Sequence, residues 1–565
     1  MISVSKKVWS ERKISQRLID KFVQDYTLSP ILAKIIISKK FSLEEIYSIK
    51  NKIYLKNVFK NNRDFISACE IIENSIKNNE KICIFGDYDV DGSCASTLLI
   101  KFLTAIKHPF IYYIPDREID GYGPSIKVFE KLIKKKPQLI IMVDCGSNSR
   151  EALNYLKLNK IKSIIVDHHQ IYKPFPLANE IINPNKNLNY INYNYLCATT
   201  LTYFLIDILL SRKIVNSNIK LESNLILVLL ATVCDVMPIR KLNRILSIKT
   251  LNSPSTNKFI SFKIIKDKIL KNKKITIEDL GFIIGPILNS GGRLGHSDLA
   301  TKLLSSNNEN EISKISNKLI ALNEKRKNLE NKSLKRIDLN KLSKKHNEVV
   351  FIYDSFFKDG LIGIIASKLK DQFNKPAFVM TQINSTIKGS ARSVINFDIG
   401  KILHKALDKN LINSGGGHQM AGGFQLNKNN LETFKLFLNK EFKNHYENNE
   451  QFIFESKLSL SSINSVFISE LNKLEPFGTA NENPIFLFEN LKIKNVKIIK
   501  NKHIFNLFIS NNGKTVSAIS FNSVDNPIGK YLLNYKKQLN VIGYLKENFW
   551  NNKKTLQLVV LDLIL

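Results

Sequence analysis

The chain has 565 residues, 44% hydrophobic and 24% charged, which excludes a wholly disordered protein or a small disulfide scaffold and leaves room for several domains. The net charge is +34, which favours a polyanionic partner such as nucleic acid, polyphosphate or an anionic membrane. The chain is also rich in Lys, Asn and Ile, as AT-biased coding produces, so we use the sign of the charge as a partner signal and not its size.

The six cysteines show no CxxC spacing, and several lie in apolar runs, which is typical of buried free thiols in a reducing cytosol. Residues 1–13 are polar from the start, so we expect no signal peptide and a cytoplasmic location. The most apolar stretch, Leu196–Leu210, contains Asp207 and three threonines. We interpret it as a core helix and not as a membrane span.

Residues 1–75 show mixed amphipathic patterning without a chemical motif, and we expect an N-terminal helical segment there. Over residues 76–308, short apolar runs alternate with helix-like stretches such as Ser93–Ile106 and Ser125–Lys134. Strands separated by helices predict an α/β domain with a parallel sheet. The runs that we interpret as strands are Ile82–Phe85, Leu139–Val143, Ser163–Val166 and Leu225–Ala231.

An acidic residue stands at or just beyond the end of each predicted strand. These residues are Asp87, Asp144, Asp167 and Asp235, in chain order. Because ligands of open parallel sheets bind beyond the carboxyl ends of the strands, this pattern predicts a functional site at that edge.

The strongest motif is Asp87-Tyr88-Asp89-Val90-Asp91-Gly92, directly after a predicted strand. Three carboxylates this close repel one another unless cations lie between them, and oxygen-rich clusters suit Mg²⁺ or Mn²⁺. The alternative is a calcium loop, but position 12 of that loop is Leu98 instead of Glu, and a strand precedes the motif.

The second motif is Asp167-His168-His169, again at a predicted strand end. A lone buried His is usually a hydrogen-bonded core residue, whereas two beside an Asp at a strand end favour metal ligation. Together with the acids, these residues suggest a two-metal site for phosphoryl displacement. Neither HExxH nor GxxxxGK[ST] occurs, which argues against a zinc protease and a P-loop NTPase.

Three further segments follow. Residues 309–347 lack Gly and Pro and carry Ile312, Ile315, Leu319 and Leu322 at helical spacing, which predicts a long connecting helix. Residues 348–450 predict a second, smaller α/β unit, with a strand near Val349–Tyr353 and a helix over Ile362–Gln372. Residues 455–565 have short alternating strands and many aromatics, as in a small β-barrel.

The smaller α/β unit contains candidate phosphate ligands. Consecutive glycines let backbone amides approach an anion closely, so we interpret Gly415, Gly416 and Gly417 as an anion-binding loop beside His418. Ser390 and Arg392 add a hydroxyl and a bidentate cation. A glycine-rich stretch alone is more often only a turn, and the reading depends on these neighbours.

The barrel aromatics allow two interpretations. Aromatic faces on a small barrel can stack with the bases of a single strand, but most of these rings are expected to pack in the barrel core. The residues are Phe477, Phe486, Phe488, Phe505, Phe508, Phe521, Tyr544 and Trp550.

These motifs, in this order, resemble the DHH phosphoesterase superfamily and, within it, the RecJ-like single-strand-specific DNA exonucleases. The resemblance runs from about Lys81 to the C-terminus. Its further blocks are Asp120–Gly123, Ile182–Pro184, Asn243–Leu246, Leu280–Phe282, Gly285–Pro286, Asn289, Gly292–Leu294 and Leu474–Gly478.

The resemblance implies a DHH domain and a DHHA1-type domain joined by the long helix, followed by an OB-fold. It also implies 5′→3′ hydrolysis of single-stranded DNA to 5′-mononucleotides with two Mg²⁺ or Mn²⁺ ions, in DNA repair and recombination. The implied protein partners are a single-stranded-DNA-binding protein and a RecQ-type helicase, with no membrane partner.

Residue roles carry over position by position. The implied metal ligands are Asp89, Asp91, Asp144, His168 and Asp235. Asp87 and His169 are implied as catalytic groups, either as further ligands or as groups that orient the attacking water. The implied substrate contacts are Asn289, Arg293, Ser390, Arg392, Gly415, Gly416, Gly417 and His418.

Three positions depart from the family pattern. Lys358 stands where a His is common, Ile287 stands where an Arg is usual, and Cys197–Thr200 replaces a glycine-rich segment. None of them removes an implied metal ligand, so they bear on DNA contacts and not on the reaction. Two other functions stay open: a phosphodiesterase for short oligoribonucleotides or cyclic dinucleotides, or for polyphosphate, and a non-catalytic single-strand-binding scaffold.

Overall fold

The computed structural model describes residues 1–50, 55–117, 119–121, 123–186, 192–213, 219–254, 258–271, 273–343, 348–445, 451–550 and 553–565. Tyr122, the Trp550 side chain and the predicted segment ends near residues 347 and 450 lie outside this description. The five segment boundaries stay a prediction. Within the described residues, no helix is both long enough and apolar enough to cross a bilayer.

The chain forms two compact units. The first comprises Met1–Tyr54, Pro238–Ile248 and Asn448–Leu565, and the second comprises Leu55–Met237 and Lys249–Glu447. The N-terminal elements of the first unit are β1 (Val8–Glu11), α1 (Gln16–Tyr26), α2 (Pro30–Ser38) and α3 (Leu43–Ile49).

The segment that resembles a DHH domain, called the DHH domain below, lies in the second unit and contains a five-stranded sheet. Its order is β3-β2-β4-β5-β6, with every pair parallel. The elements that build and cover the sheet are α4 (Arg63–Lys77), β2 (Ile82–Gly86), α5 (Val90–Ala105), β3 (Phe110–Tyr113), α6 (Ile126–Ile133), β4 (Leu139–Val143), α7 (Arg150–Leu158), β5 (Lys162–Val166), β6 (Glu180–Ile182) and α8 (Ala198–Ser211). The central strands β2 and β4 are buried throughout, as expected for a parallel sheet covered by helices on both faces.

A helical region follows the sheet. Its elements are a 3₁₀ turn (Leu221–Asn224), α9 (Leu225–Cys234), α10 (Lys241–Asn252), α11 (Ile260–Leu270), α12 (Ile277–Asp279), a π-helical turn (Leu280–Ile284), α13 (Gly285–Leu288), α14 (Ser290–Arg293) and α15 (Leu299–Ser305). The prediction of a strand at Leu225–Ala231 was wrong, because this stretch is the buried helix α9. A continuous apolar run has no periodicity that separates a buried strand from a buried helix.

The long helix α16 (Glu309–Lys335) confirms the predicted connecting helix, although it is shorter than expected and is followed by the short helix α17 (Leu339–Ser343). Ile312 and Leu319 are fully buried on it, together with several polar residues. Leu196–Leu210 is confirmed as a core helix, because α8 is buried along most of its length. The six cysteines are free thiols, five of them buried and Cys234 partly exposed.

The segment that resembles a DHHA1 domain, called the DHHA1 domain below, contains a mixed sheet in the order β10-β11-β9-β8-β7, in which only the β7–β8 pair is parallel. Its elements are β7 (Val350–Tyr353), α18 (Asp359–Phe373), β8 (Ala377–Ile383), β9 (Thr386–Arg392), α19 (Ile399–Asp408), β10 (Ser414–His418), β11 (Ala421–Leu426), a 3₁₀ turn (Lys428–Asn430) and α20 (Leu431–His445). The α/β character predicted for this segment is confirmed.

The C-terminal segment is an OB-type barrel. Five strands close in the order β14-β15-β16-β18-β17, because β17 also pairs with β14. The elements are β12 (Gln451–Phe454), β13 (Ser456–Leu458), a 3₁₀ turn (Leu460–Ser462), α21 (Ser465–Asn472), β14 (Phe486–Ile499), β15 (His503–Ile509), β16 (Thr515–Ser520), α22 (Pro527–Asn534), β17 (Leu539–Trp550) and β18 (Lys553–Ile564). Of the predicted barrel aromatics, Phe486, Phe488 and Phe508 are buried, whereas Phe521 is 54% exposed.

The N-terminal helices belong to the same core as the barrel. Leu32, Ile36 and Ile46 from these helices lie in one hydrophobic cluster with Phe486 and Phe508 of the barrel. The first unit is therefore held together by segments that are hundreds of residues apart in sequence.

Arg244 is the polar centre of this first unit. Its side chain is fully buried, and Nε donates to Ser48 Oγ at 3.2 Å. Nη1 donates to the carbonyl of Leu474 at 2.6 Å, and Nη2 donates to the carbonyl of Lys473 at 3.0 Å. One guanidinium thus joins α10, α3 and the loop after α21.

We expect Arg244→Ala to destabilise the first unit by about 3 kcal/mol or more, because the change removes hydrogen bonds from a charged donor and leaves buried acceptors unsatisfied. Chemical denaturation followed through a barrel signal measures the loss. Arg17→Ala is the matched control, because Arg17 is exposed on α1 of the same unit. A loss below about 1 kcal/mol for Arg244→Ala would contradict this role.

Candidate active site

The strand order brings the predicted acids together. The chain leaves β2 for β3 on one side and then returns to β4 on the other, so β2 marks a topological switch point. In such sheets the crevice beyond the carboxyl ends of the strands is the usual ligand site. Asp87, Asp89 and Asp91 follow β2, Asp144 follows β4, and His168 and His169 follow β5.

Asp235 reaches the same place from the C-terminal end of α9 instead of from a strand. The structure gathers all seven of the predicted metal and catalytic residues into overlapping groups whose ligand atoms lie within 4.8 Å of one another. The groups are Asp87, Asp89 and Asp144; Asp144, His168 and His169; and Asp91, His168 and Asp235.

His168 lies among three carboxylates. Its Nε2 is 3.3 Å from Asp144 Oδ1, 3.3 Å from Asp235 Oδ2 and 3.7 Å from Asp91 Oδ2. Burial, together with the neighbouring His169, lowers the pKa of His168 to about 4, so the ring is neutral at pH 7. A neutral imidazole is the form that ligates a metal.

The carboxylates in this cluster repel one another. Burial raises the pKa of Asp144 well above its usual range, and the nearby charges of Asp91 and Asp89 raise it further. The pKa values of Asp87 and Asp235 are raised for the same reasons. Repulsion of this kind is what bound cations relieve.

Four buried ligand atoms have no hydrogen-bond partner within the described part of the chain. They are both carboxylate oxygens of Asp144, Nε2 of His168 and Oδ2 of Asp235. Unpartnered buried polar atoms are costly, and here they converge on one point. The donor set therefore fits divalent cations, and its oxygen-rich composition fits Mg²⁺ or Mn²⁺.

The backbone around the cluster is also specialised. Asp144 has φ of +61°, a left-handed conformation that is uncommon outside Gly and that recurs at functional sites. Asp91 accepts hydrogen bonds from the amides of Ala198 and Thr199, both at 2.8 Å, at the start of α8. Backbone amides make these contacts, so the change from a glycine-rich segment to Cys197–Thr200 leaves them intact.

Asp167 positions the His169 ring. The sequence-based prediction of metal ligands and catalytic groups did not include this residue. It is buried, and its Oδ1 accepts from the amide of His168 at 2.7 Å and contacts Nδ1 of His169 at 2.8 Å. Burial alone would lower the pKa of His169, but Asp167 raises it to about 10. The sequence signal was present, because Asp167 adjoins the His pair.

We expect Asp167→Asn to lower kcat about ten- to a hundredfold, because an amide holds and charges the His169 ring less well than a carboxylate does. KM should change little, since Asp167 is buried and therefore out of reach of a substrate. Steady-state kinetics on a single-stranded substrate separates the two parameters. An unchanged kcat would show that Asp167 does not position His169.

A cationic face from the DHHA1 domain lies against the DHH domain within the second unit. Lys388, Ser390 and Arg392 alternate along β9 and therefore point to one side of the sheet. Lys388 Nζ lies 2.8 Å from Asp359 Oδ2, and Arg392 Nη1 donates to Ser390 Oγ at 3.0 Å.

Two arginines of the DHH domain complete this face. Arg117 pairs with Asp359 through Nε at 2.9 Å, and Arg293 donates to the carbonyl of Gly360 at 3.4 Å. A Cβ at Gly360 would lie 2.2 Å from the Arg293 carbonyl oxygen, so only glycine allows this close approach. Arg117 was missed from the sequence, although it follows β3 at the same edge of the sheet as the acids.

Positive charge is in excess on this face. Within the described residues, neither Arg293 nor Arg392 forms an ion pair with a carboxylate. The nearby carboxylate of Asp359 already forms ion pairs with Arg117 and Lys388. Burial and the neighbouring Arg117, Arg326 and Arg392 lower the pKa of Arg293 to about 10. A half-buried cluster of under-paired cations favours an anionic ligand such as phosphate.

The prediction that Gly415–Gly417 form a loop was wrong. Gly415, Gly416 and Gly417 lie in β10, which pairs with β11 at the edge of the DHHA1 sheet. Glycines are uncommon in strands, which is why the sequence indicated a turn. A Cβ at Gly416 would meet no atom within 4 Å, so packing does not require glycine at that position.

The remaining predicted residues lie around this face. His418 ends β10, and its ring centroid is 6.0 Å from that of His169, so the structure brings it to the acid cluster. Asn289 is half-buried between α13 and α14. Of the family departures, Ile287 is buried in the DHH domain, whereas Lys358 is exposed just before α18.

The comparisons with known proteins agree with this architecture. Three family models match: the DHH family N-terminal domain at residues 81–232, the DHHA1 domain at 346–444 and the RecJ OB domain at 454–562. The crystal structure of RecJ in complex with Mn²⁺ from Thermus thermophilus superposes with a TM-score of 0.83 at 21% identity. The match covers 98% of this chain and 79% of that one, which establishes a shared fold.

Sequence relatives are more specific. The chain is 27% identical to the "Single-stranded-DNA-specific exonuclease RecJ" of Bacillus subtilis, over 99% of this chain and 71% of the relative. It is 31% identical to the protein of the same name from Escherichia coli, over 66% of this chain and 67% of the relative. With that identity, that coverage and the three domains in order, the chain belongs to the RecJ family of DHH proteins.

Proposed function

We propose that this protein is a metal-dependent exonuclease that degrades single-stranded DNA in the 5′→3′ direction and releases 5′-mononucleotides. The observation that carries the proposal is the cluster of buried, unpartnered carboxylate and imidazole atoms beside a face of under-paired cations. The first component fits divalent metals, and the second fits a phosphodiester.

Asp89, Asp91, Asp144, His168 and Asp235 would hold the metal, with Asp87 and His169 as further ligands or as groups that orient water. When bound, two such ions activate water for in-line attack and stabilise the leaving oxygen. Asp144 and His168 each belong to two of the three ligand groups, which supports a site for two ions instead of one. Asp167 keeps the His169 ring in place through its contact with Nδ1.

The cationic face supports cleavage at the end of a DNA strand instead of at an internal linkage. Arg117, Arg293 and Arg392 form a half-buried set of donors, suited to a phosphate that carries more negative charge than an internal linkage. We propose that they bind the 5′-terminal phosphate, while Ser390, His418, Asn289 and the strand of Gly415–Gly417 contact the following linkages. Holding the terminus fixes which linkage lies over the acid cluster.

The OB barrel supports single-stranded DNA as the substrate. Barrels of this type bind single-stranded nucleic acid through basic grooves and aromatic faces, and short oligoribonucleotides or cyclic dinucleotides need no such platform. The RecJ relatives carry single-stranded DNA in their name. We further propose a cytoplasmic role in DNA repair and recombination, in which a RecQ-type helicase and a single-stranded-DNA-binding protein supply the unpaired strand.

A directional assay tests this function. Single strands that carry a label at the 5′ or the 3′ end are incubated with Mn²⁺ or Mg²⁺, and a duplicate contains excess chelator. We expect the 5′ label to be released first as a mononucleotide, and no release with chelator. Early release of the 3′ label would contradict the polarity, and hydrolysis that survives the chelator would contradict the metal dependence.

A further inference from the structure

Three apolar side chains are exposed on the two segments that flank the end of α9, where Asp235 lies. Phe282 is 81% exposed, Val236 is 66% exposed and Ile283 is 36% exposed. We call these three residues the rim patch. Isolated surface hydrophobics are ordinary, but a group beside a candidate active site calls for an explanation.

The rim patch lies next to Asp235. Val236 directly follows this residue, and the π-helical turn Leu280–Ile284 packs against the end of α9, which delivers it. Cys234 Sγ is 3.9 Å from the carbonyl of Leu280, and a Cβ at Gly285 would lie only 2.4 Å from the same sulfur. The turn that carries Phe282 is therefore held against the helix end that carries Asp235, a predicted metal ligand.

The backbone conformations that expose the rim patch are energetically unfavourable. Val236 has φ of +57°, which is a genuine outlier for a β-branched residue. Phe282 and Ile283 belong to a π-helical turn, a rare conformation that concentrates at functional sites. Two unfavourable local conformations thus expose apolar side chains beside one site, which indicates that the exposure serves the site.

We propose that the rim patch is a stacking platform for a base of the single-stranded substrate, with Phe282 as its aromatic face. The proposal rests on the proposed function. A strand whose phosphate lies at the acid cluster must place its unpaired bases nearby, and the exposed ring of Phe282, on a turn packed against the helix end that carries Asp235, provides an apolar partner. Because every base has a π-face, the platform is indifferent to sequence, as a general exonuclease requires.

Substitution at Phe282 separates stacking from simple contact. We expect Phe282→Ala to raise KM for a single strand about five- to thirtyfold with kcat nearly unchanged, since one lost base–aromatic stack has an effect of that size. Phe282→Tyr should retain wild-type kinetics, and Phe282→Leu should resemble the alanine variant. Phe356→Ala is the matched control, because Phe356 is 47% exposed in the DHHA1 domain, outside the rim patch.

A change in the substrate tests the same contact from the other side. Strands with one abasic position, moved stepwise from the 5′ end, are compared in the wild type and in Phe282→Ala. At one position near the terminus, the abasic site should weaken binding by the wild type about as much as Phe282→Ala does. The same strand should then cause no further loss in the variant.

The outcomes are distinguishable. If the wild type degrades single strands and Phe282→Ala has the same KM for every strand, the platform is wrong and the patch serves another partner, such as a protein. If abasic positions weaken the wild type and the alanine variant equally, stacking on Phe282 is also wrong. If the wild type leaves single strands intact, the proposed function fails and the platform fails with it.

Discussion

Replacement of Asp144 by Asn should lower kcat at least about a thousandfold, which is the scale of the several kcal/mol that bound metal supplies in phosphoryl transfer. Asp144 belongs to two of the three ligand groups, and both of its carboxylate oxygens are unpartnered. His168 shares the membership of two groups and also has an unpartnered ligand atom, Nε2, but Asp144 offers two ligand atoms instead of one. Kinetics on a 5′-labelled single strand with Mn²⁺ measures the change.

The same variant should be more stable than the wild type without metal. Burial and the charges of Asp91 and Asp89 raise the pKa of Asp144, so its ionised form is disfavoured in the folded state at neutral pH. A neutral amide removes this penalty, which is absent below about pH 4 and grows as the pH rises from the unfolded-state pKa towards the raised folded-state pKa. Thermal unfolding in chelator should show a higher melting temperature for Asp144→Asn.

Added Mn²⁺ should reverse that order, because metal stabilises the wild type in proportion to its affinity and stabilises the variant less. Asp91→Ala is the informative contrast. Asp91 also accepts two amides at the start of α8, so its loss should reduce both activity and stability. If Asp144→Asn were less stable than the wild type in chelator, the repulsion ascribed to the cluster would be wrong.

The second large effect is expected at Arg392. Arg392→Ala should lower kcat/KM about ten- to a hundredfold on a strand with a 5′-phosphate, which is the range for one lost hydrogen bond from a charged group. On a strand with a 5′-hydroxyl the loss should be much smaller, because the doubly charged terminus is absent. Competition between the two strands in one reaction measures the preference directly.

Lys401→Ala is the matched control for charge. Its side chain is 83% exposed in the same domain, outside the cationic face, so the variant should keep the preference for a 5′-phosphate. Arg392→Lys should recover only part of the lost activity, since an ammonium group lacks the planar fork of guanidinium. Equal losses on both strands for Arg392→Ala would remove the cationic face from the recognition of the terminus.

Site residues could be predicted from the sequence where a local pattern, the end of a predicted strand, marks them. Asp87, Asp144 and His168 were found because each stands at a strand end, and parallel strands bring their ends to one edge. Asp235 was found for the wrong local reason. Its preceding apolar run is a helix that ends at the same edge, so Asp235 lies at the predicted edge although the predicted strand is wrong. Its role as a metal ligand stays a prediction.

The features that the sequence did not predict depend on contacts between residues far apart in the chain. Arg117 pairs with Asp359, which is 242 positions away, and local patterning carries no information about that partner. The glycines of β10 resemble a turn in sequence, and only pairing with β11 makes them a strand. The N-terminal helices share a core with the barrel, a placement that the first 75 residues alone could not indicate.

The central claim is that the acid and imidazole cluster holds two divalent ions. A crystal of the protein soaked in Mn²⁺, measured at the manganese absorption edge, locates bound metal by anomalous scattering without reference to activity. We predict two peaks about 4 Å apart, bordered by Asp144 and His168, and the loss of at least one of them in Asp144→Asn. An absence of anomalous density among these side chains in the wild type would contradict the account.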